Sequence, residues 1–257
     1  MNQENLLNIK NLKVYFNSDN NIIKAVDDIS FTVNKGEIVS LVGESGSGKS
    51  ISALSITKLT PQSAKYLNGE IIYDNIDILR LSDNNLRKIR GNSIGYIFQE
   101  PMTSFNPVLK IKDQIQEAIS MHNGNKVINI DFLLSKVQLP SRIKNSYPHE
   151  MSGGQLQRCM IAMALACSPK LLIADEPTTA LDVTIQKEIL DLLNSLKKTE
   201  GLSILLITHN FGVVSEIADR VYVMQNGKII ESGNTNEILY FPKNEYTKKL
   251  ISAVPRM

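Results

Sequence analysis

The stretch that decides the fold is a glycine-rich run ending in lysine and serine, Gly43-Glu44-Ser45-Gly46-Ser47-Gly48-Lys49-Ser50. It follows a short apolar run, 37–42, and precedes a helical pattern that extends from Ser50 to about Lys58. In such a strand, loop and helix order, successive backbone N–H groups surround phosphate oxygens at a helix N-terminus. The spacing G-x-x-x-x-G-K-[ST] therefore predicts a phosphate-binding loop (P-loop), in which Lys49 reaches the β- and γ-phosphates and Ser50 ligates Mg²⁺. The loop alone leaves kinases, GTPases and motor ATPases open.

Two adjacent acids narrow the choice. Asp175 and Glu176 directly follow an apolar strand candidate, 171–174. We expect Asp175 to hold Mg²⁺ through water, and Glu176 to act as general base or to orient the attacking water. Acids at a strand end are often helix caps, but the upstream P-loop favours the catalytic interpretation.

Strand candidates alternate with helical patterns along much of the chain. Apolar alternation at Leu12, Val14 and Phe16, with a second extended stretch at 26–33, predicts a small antiparallel sheet. Further strand candidates separated by helical patterns predict a parallel α/β sheet, and they lie at 37–42, 171–174, 203–208 and 221–225. From about Pro101 to Ala166 the pattern is helical throughout, which predicts an inserted helical lobe.

Composition excludes several classes of protein. Among 257 residues, 28 are Lys or Arg and 26 are Asp or Glu, a net charge of +2 that predicts no general affinity for nucleic acid. The two cysteines, Cys159 and Cys167, lack the spacing of a disulfide framework or zinc site. The first ten residues do not resemble a secretory signal, and no apolar run reaches the roughly 20 residues that span a bilayer.

A third motif brings a resemblance to a known family. Met151 precedes Ser152-Gly153-Gly154-Gln155, which stands directly before the helical stretch 156–166. Together with the P-loop and the two acids, this run resembles the S-G-G-Q signature of ATP-binding cassette (ABC) ATPases, with Met151 where leucine is commonest. The resemblance implies that Ser152, Gly153, Gly154 and Gln155 bind the γ-phosphate of ATP held on the P-loop of an opposite subunit. In isolation the same four residues would be an ordinary helix start.

Three more residues match the family by order and spacing. Gln99 resembles the Q-loop glutamine, which contacts Mg²⁺ and the attacking water and joins the core to the helical lobe. Asp182, at the end of 179–182, resembles the D-loop aspartate that communicates across the dimer. His209 resembles the switch histidine that contacts the γ-phosphate and Glu176, although Asn210 departs from the commoner aspartate. Phe16, with Tyr15 beside it, is the candidate that stacks on adenine; the alternative is a half-buried strand aromatic.

The resemblance implies an α/β fold, with a P-loop NTPase (RecA-like) cassette core, an antiparallel β-subdomain and an inserted α-helical subdomain. We expect a single domain over 1–257, with the core and β-subdomain in 1–100 and 168–257 and the helical lobe in about 101–167. ATP and Mg²⁺ are the implied cofactors.

Similarity to one branch of the family, the peptide and nickel importers, is found in four stretches: 98–107, 147–155, 175–182 and the tail 246–250. The absence of a cysteine cluster before Met257 fits its shorter members and gives no reason to expect an iron-sulfur cluster. The implied partners are a second ABC ATPase subunit, two transmembrane permease subunits and, indirectly, an extracytoplasmic solute-binding protein. A related but different ATPase chain is favoured over a homodimer, and the expected location is peripheral, on the cytoplasmic face of the cell membrane. A soluble ABC-type ATPase of translation or DNA repair and an exporter ATPase are the alternatives, and the solute itself cannot be predicted.

Overall fold

The computed structural model describes residues 4–18, 21–123, 128–179 and 181–253. Its strands, in chain order, are β1 (Asn5–Ser18), β2 (Asn21–Asn34), β3 (Ile38–Val42), β4 (Ala64–Tyr73), β5 (Ile76–Asp77), β6 (Ile94–Ile97), β7 (Leu171–Asp175), β8 (Ser203–Thr208), β9 (Arg220–Gln225) and β10 (Lys228–Asn234). Its α-helices are α1 (Lys49–Ile56), α2 (Asp83–Ile89), α3 (Pro101–Ser104), α4 (Ile111–Asn123), α5 (Ile130–Lys136), α6 (Gly153–Leu165), α7 (Val183–Glu200), α8 (Phe211–Ile217), α9 (Thr235–Tyr240) and α10 (Glu245–Ser252).

The N-terminal strands form an antiparallel sheet with the order β2-β1-β4-β5. Leu12 and Val14 are fully buried, as the period-two alternation predicts. Asp74 and Asn75 connect β4 to β5 with φ angles of 47° and 66°, the left-handed pair that a two-residue hairpin turn requires. One buried cluster joins this sheet to the second one, because Val14 and Ile29 pack in the same core as Leu41 and Ile207.

The second sheet has the order β10-β9-β3-β8-β7-β6 and is parallel except for the β9–β10 hairpin. Strands β3, β7 and β8 are buried along their whole length, which explains their continuous apolar sequences. Strand β6 was not anticipated from the sequence. In an open parallel sheet the carboxyl ends of the strands share one edge, where ligands bind. The loops after β3, β6, β7 and β8 begin there, and they carry the P-loop, Gln99, Glu176 and His209.

The helices α3 to α6 lie between β6 and β7 in the chain. Ile111, Ile115 and Ile119 form one fully buried stripe of α4 in a core shared with α6 and with Leu172 of β7. The α/β architecture, with a parallel core, an antiparallel sheet and an inserted helical region, confirms the predicted fold class. Among the described helices, none is both long and apolar enough to cross a bilayer.

The described part of the tail is helical in α9 and α10. Tyr246, Leu250 and Ile251 of α10 pack against a cluster that includes Val42, the residue directly before the P-loop.

Candidate nucleotide-binding site

The P-loop connects β3 to α1 and is pressed against two neighbouring strands. A Cβ atom on Gly43 would lie 2.1 Å from the carbonyl oxygen of Met224, and one on Gly48 would lie 2.1 Å from that of Ala25. Gly48 also has a φ of 103°. Only glycine fits these two positions. Gly48 is the N-cap of α1 and offers no side-chain acceptor, so the helix start is suited to an external anion.

Lys49 supplies a cation at the base of the loop. Its side chain is buried, and Nζ donates to the carbonyl oxygens of Gly43 at 2.7 Å and Glu44 at 2.8 Å. Burial lowers the pKa of Lys49, while the carboxylates of Glu176, Asp175 and Glu44 act in the opposite direction. Nζ also donates to the Ser47 hydroxyl oxygen at 3.4 Å. An ammonium held by two carbonyl oxygens and a hydroxyl can turn to a phosphate without breaking an ion pair.

Asp175 at the end of β7 and Ser50 in the first turn of α1 bring two hard oxygen ligands together. The Ser50 hydroxyl donates to Oδ1 at 3.2 Å, and the Tyr96 hydroxyl donates to Oδ2 at 3.1 Å. Burial raises the pKa of Asp175. No group of three His, Cys, Asp or Glu residues suited to a metal occurs within the part of the chain that the structure describes. One carboxylate and one hydroxyl nevertheless fit Mg²⁺, which commonly takes its other ligands from water and substrate phosphates.

Glu176 is held by three donors. His209 Nδ1 lies 3.1 Å from Oε1, while Gln99 Nε2 and Thr179 Oγ1 lie 3.1 and 2.8 Å from Oε2. Because an ionised carboxylate only accepts, His209 carries its proton on Nδ1. Burial by itself would raise the pKa of Glu176, but the hydrogen bonds from His209 and Thr179 outweigh it and hold that pKa below its ordinary value.

The backbone of Glu176 is in a strained, left-handed conformation. Its φ is 48°, a left-handed conformation rare for a residue with a side chain, and its N–H donates to Ile207 O at 2.9 Å. Strain of this kind persists only where the surroundings impose it, and it is concentrated at functional sites.

The signature residues lie at the N-terminus of α6. The Ser152 hydroxyl accepts from Gln155 N at 3.3 Å, and Ser152 N donates to Gln155 Oε1 at 3.1 Å, so the two form a capping box. Ser152 and Gly153 are exposed. A Cβ on Gly154 would lie 2.6 Å from Ile185 Cγ2, because α6 begins against the first turn of α7. Asp182 caps that turn by accepting from Ile185 N at 3.0 Å.

A cleft of about 510 Å³ brings much of the predicted site together. Its walls come from the P-loop, β2, the Asn226-Gly227 turn and the two side chains Gln99 and Glu176. Among the described residues that line it, none belongs to 152–155, and Asp182 is absent as well. One chain therefore presents the P-loop and the carboxylates in one place and the signature helix start in another.

The aromatic candidates do not line this cleft. Phe16 is half-buried on β1, and the Tyr15 hydroxyl donates to Asp27 Oδ1 at 2.5 Å. Ile23, which pairs with Phe16 across β1 and β2, is 56% exposed and does line the cleft. The stacking role of Phe16 stays a prediction.

Sequence reasoning missed three residues of the site. Tyr96 donates to Asp175, Thr179 donates to Glu176, and Ile23 forms part of the wall. Only Thr179 had a local signal, because a hydroxyl three residues beyond a carboxylate can fold back on it.

Comparison with known proteins agrees with this geometry. The family model described as "ABC transporter" matches residues 26–179. The dipeptide transport ATP-binding protein DppD of Bacillus subtilis is 47% identical over 99% of this chain and 78% of its own length. The oligopeptide transport ATP-binding protein OppD of the same organism is 45% identical over 98% of this chain and 72% of its own length. The dimeric post-hydrolysis structure of the ATP-binding cassette MJ0796, bound to ADP and Pi, is 30% identical. It superposes with a TM-score of 0.78 over 89% of this chain and 98% of that one.

Proposed function

This chain belongs to the ABC transporter family, and on that premise we propose that it is the ATP-hydrolysing subunit of an importer for peptides. The observation that carries the proposal is the convergence of Lys49, Asp175 and the triply held Glu176 on the edge of one parallel sheet. The names of DppD and OppD favour peptides over nickel or metal chelates as the solute.

The chemistry follows from the placement of these groups. The P-loop amides and Lys49 bind the phosphates of ATP, and Ser50, Gln99 and Asp175 are the residues that would hold Mg²⁺, which neutralises phosphate charge when it is bound. Glu176 orients the attacking water and accepts its proton. The ionised state favoured by its lowered pKa is the state that this role needs. His209 and Gln99 hold the two carboxylate oxygens in position.

We propose that the active assembly is a dimer of cassettes. The helix start at Ser152 and Gly153 is exposed and lies outside the cleft of its own chain. Its free N–H groups and dipole suit the γ-phosphate of ATP bound to a second cassette. The dimeric structure of the related cassette MJ0796 supports this arrangement. A related but different chain is the proposed partner, and a homodimer is the alternative.

The remaining partners are proposed from the same family. A second cleft of about 380 Å³ lies between the core and the helical lobe and is lined by apolar side chains that include Phe98, Met160 and Met163. Phe98 directly precedes Gln99, so a permease segment seated there would be coupled to Glu176. We place the chain peripherally on the cytoplasmic face of the membrane, with two permeases and an indirectly coupled solute-binding protein.

Reconstitution tests the proposal. The chain is assembled in liposomes with the two proposed permeases and the proposed solute-binding protein, and ATP hydrolysis and uptake are measured with di- and oligopeptides or Ni²⁺. Peptide-stimulated hydrolysis with uptake is expected. Stimulation by Ni²⁺ alone would reassign the solute. Outward movement would indicate an exporter, and hydrolysis that permeases do not affect would indicate a soluble ABC-type ATPase.

A further inference from the structure

The C-terminal helix reaches the first peptide of the P-loop. The backbone N–H of Glu44 donates to the hydroxyl oxygen of Tyr246 at 3.1 Å, a contact between residues 202 positions apart in the chain. Tyr246 is half-buried. Burial raises the pKa of its hydroxyl, and the negative charge of Glu44 acts in the same direction, so this hydroxyl stays protonated at neutral pH.

The same peptide is held from its other side. Its carbonyl oxygen, that of Gly43, accepts from Lys49 Nζ at 2.7 Å. In a trans peptide the N–H and C=O groups point in opposite directions. Tyr246 and Lys49 therefore hold the Gly43–Glu44 peptide plane between them, and the carbonyl oxygen of that plane is one of the three acceptors that place the Lys49 ammonium.

Tyr246 is itself anchored. Asn244 caps α10 by accepting from Tyr246 N at 2.9 Å, and the Glu231 carboxylate on β10 accepts from the N–H groups of Lys243 and Asn244 at 2.7 and 3.2 Å. Leu250 packs against the cluster that contains Val42. The start of α10 is thus fixed by hydrogen bonds before Tyr246 and by apolar packing after it, and this holds the Tyr246 hydroxyl in place.

On the proposed ATPase function, we propose that Tyr246 is a positioning residue for the P-loop: its hydroxyl fixes the Gly43–Glu44 peptide and so places Lys49 for ATP. Glu44 is an exposed residue, so water can replace a lost Tyr246 hydroxyl at its N–H, and the loss leaves a solvated, freer peptide rather than a misfolded one. The effect should appear in nucleotide affinity and not in the chemical step, because Glu176 and its three donors do not contact Tyr246.

The test compares Tyr246→Phe with Tyr240→Phe, which removes the hydroxyl of a tyrosine that is 72% exposed in the same C-terminal region. ATP affinity is measured by calorimetry, and KM, kcat and Tm are measured on the same full-length chains. For Tyr246→Phe we expect a rise of about two- to tenfold in Kd and KM for ATP, the effect of one lost hydrogen bond, with kcat within about twofold of wild type. The Tm should stay within about 4 °C of wild type. Tyr240→Phe should match the wild type.

Three results would overturn the inference. One is an unchanged affinity for ATP in Tyr246→Phe. Another is an equal change in Tyr240→Phe. A third is a fall in kcat and Tm without a change in KM, which would make the residue merely structural. Failure of the wild-type chain to bind ATP would instead refute the proposed function itself, and the wild-type measurement distinguishes that case.

Discussion

Two helix starts in this molecule are built for anions, and they are completed in different ways. At α1, Gly48 leaves the helix start without a side-chain cap, and the buried Lys49 stands beside it with Asp175 and Glu176 within the same site. At α6, Ser152 and Gln155 cap the helix, Ser152 and Gly153 are exposed, and the cleft lies elsewhere. The first start lies beside a cation and two carboxylates of its own chain, whereas the second offers only N–H groups and a dipole. The contrast supports the proposal that α1 serves nucleotide binding and chemistry, while α6 serves assembly.

The largest expected effect belongs to the carboxylate of the α1 site. Glu176→Gln keeps the shape and removes the proton acceptor, so kcat should fall by about 10²- to 10⁴-fold while ATP affinity is retained. The bound, unhydrolysed ATP should trap a closed dimer of cassettes, which is measured by light scattering after gel filtration with ATP, both with the chain alone and with the partner cassette present. Glu216→Gln, an exposed acid of α8, is the matched control and should behave as wild type. Normal turnover by Glu176→Gln would exclude its role.

The next effect is on affinity at the same helix start. Lys49→Ala removes a cation from the phosphate site and should weaken ATP binding by about ten- to one-hundred-fold, the size of a charge-assisted hydrogen bond. Calorimetry on the isolated chain measures it, with the exposed Lys88→Ala as control. Equal ATP affinity in the two variants would contradict the P-loop assignment.

Ser152→Ala tests the other helix start, because it removes the N-cap of α6 and leaves α1 unchanged. Loss of the cap should lower the free energy of unfolding by about 0.5–2 kcal/mol. ATP affinity of the single chain should be unchanged, whereas ATP-driven dimerisation of the Glu176→Gln chain should weaken. Sedimentation velocity measures the dimer, and urea unfolding measures the stability.

The control for Ser152 is Asn129→Ala, which removes the cap of α5. Asn129 Oδ1 accepts from the N–H groups of Asp131 and Phe132 at 2.9 and 3.2 Å. This variant should lose comparable stability with no effect on dimerisation. If loss of either cap weakened the dimer to the same extent, α6 would have no special role in assembly.

The smallest effect is a pH dependence of stability. The folded pKa of Glu176 lies below the ordinary value of 4.5, so its ionised form stabilises the fold above that pH, and the contribution is lost as pH falls through the folded pKa. The urea midpoint of wild type minus that of Glu176→Gln should therefore be constant above about pH 6 and should shrink as the pH falls through 4.5 and below. A constant difference would mean that the donors to Glu176 do not favour its ionised form.

Much of the site could be predicted because its parts are local. The P-loop needs glycine where a Cβ would strike Met224 O or Ala25 O, and the alternation of short apolar strands with helical patterns predicts a parallel sheet. Strand β6 was missed because it has only four residues and its pairing with β7 spans the whole helical lobe. Phe16 was chosen because it continues a strand face, but the described cleft wall includes its cross-strand neighbour Ile23 instead.

The sequence by itself determined the chemistry, because the motif residues carry their own functional groups and their glycines require particular backbone conformations. Tertiary structure alone decided which groups meet. It set Gln99 and His209 around Glu176, placed Tyr96 on Asp175, and brought Tyr246 to the P-loop from 202 residues away. These contacts depend on how strands and helices pack, which is set by burial summed over the whole core and not by any local pattern.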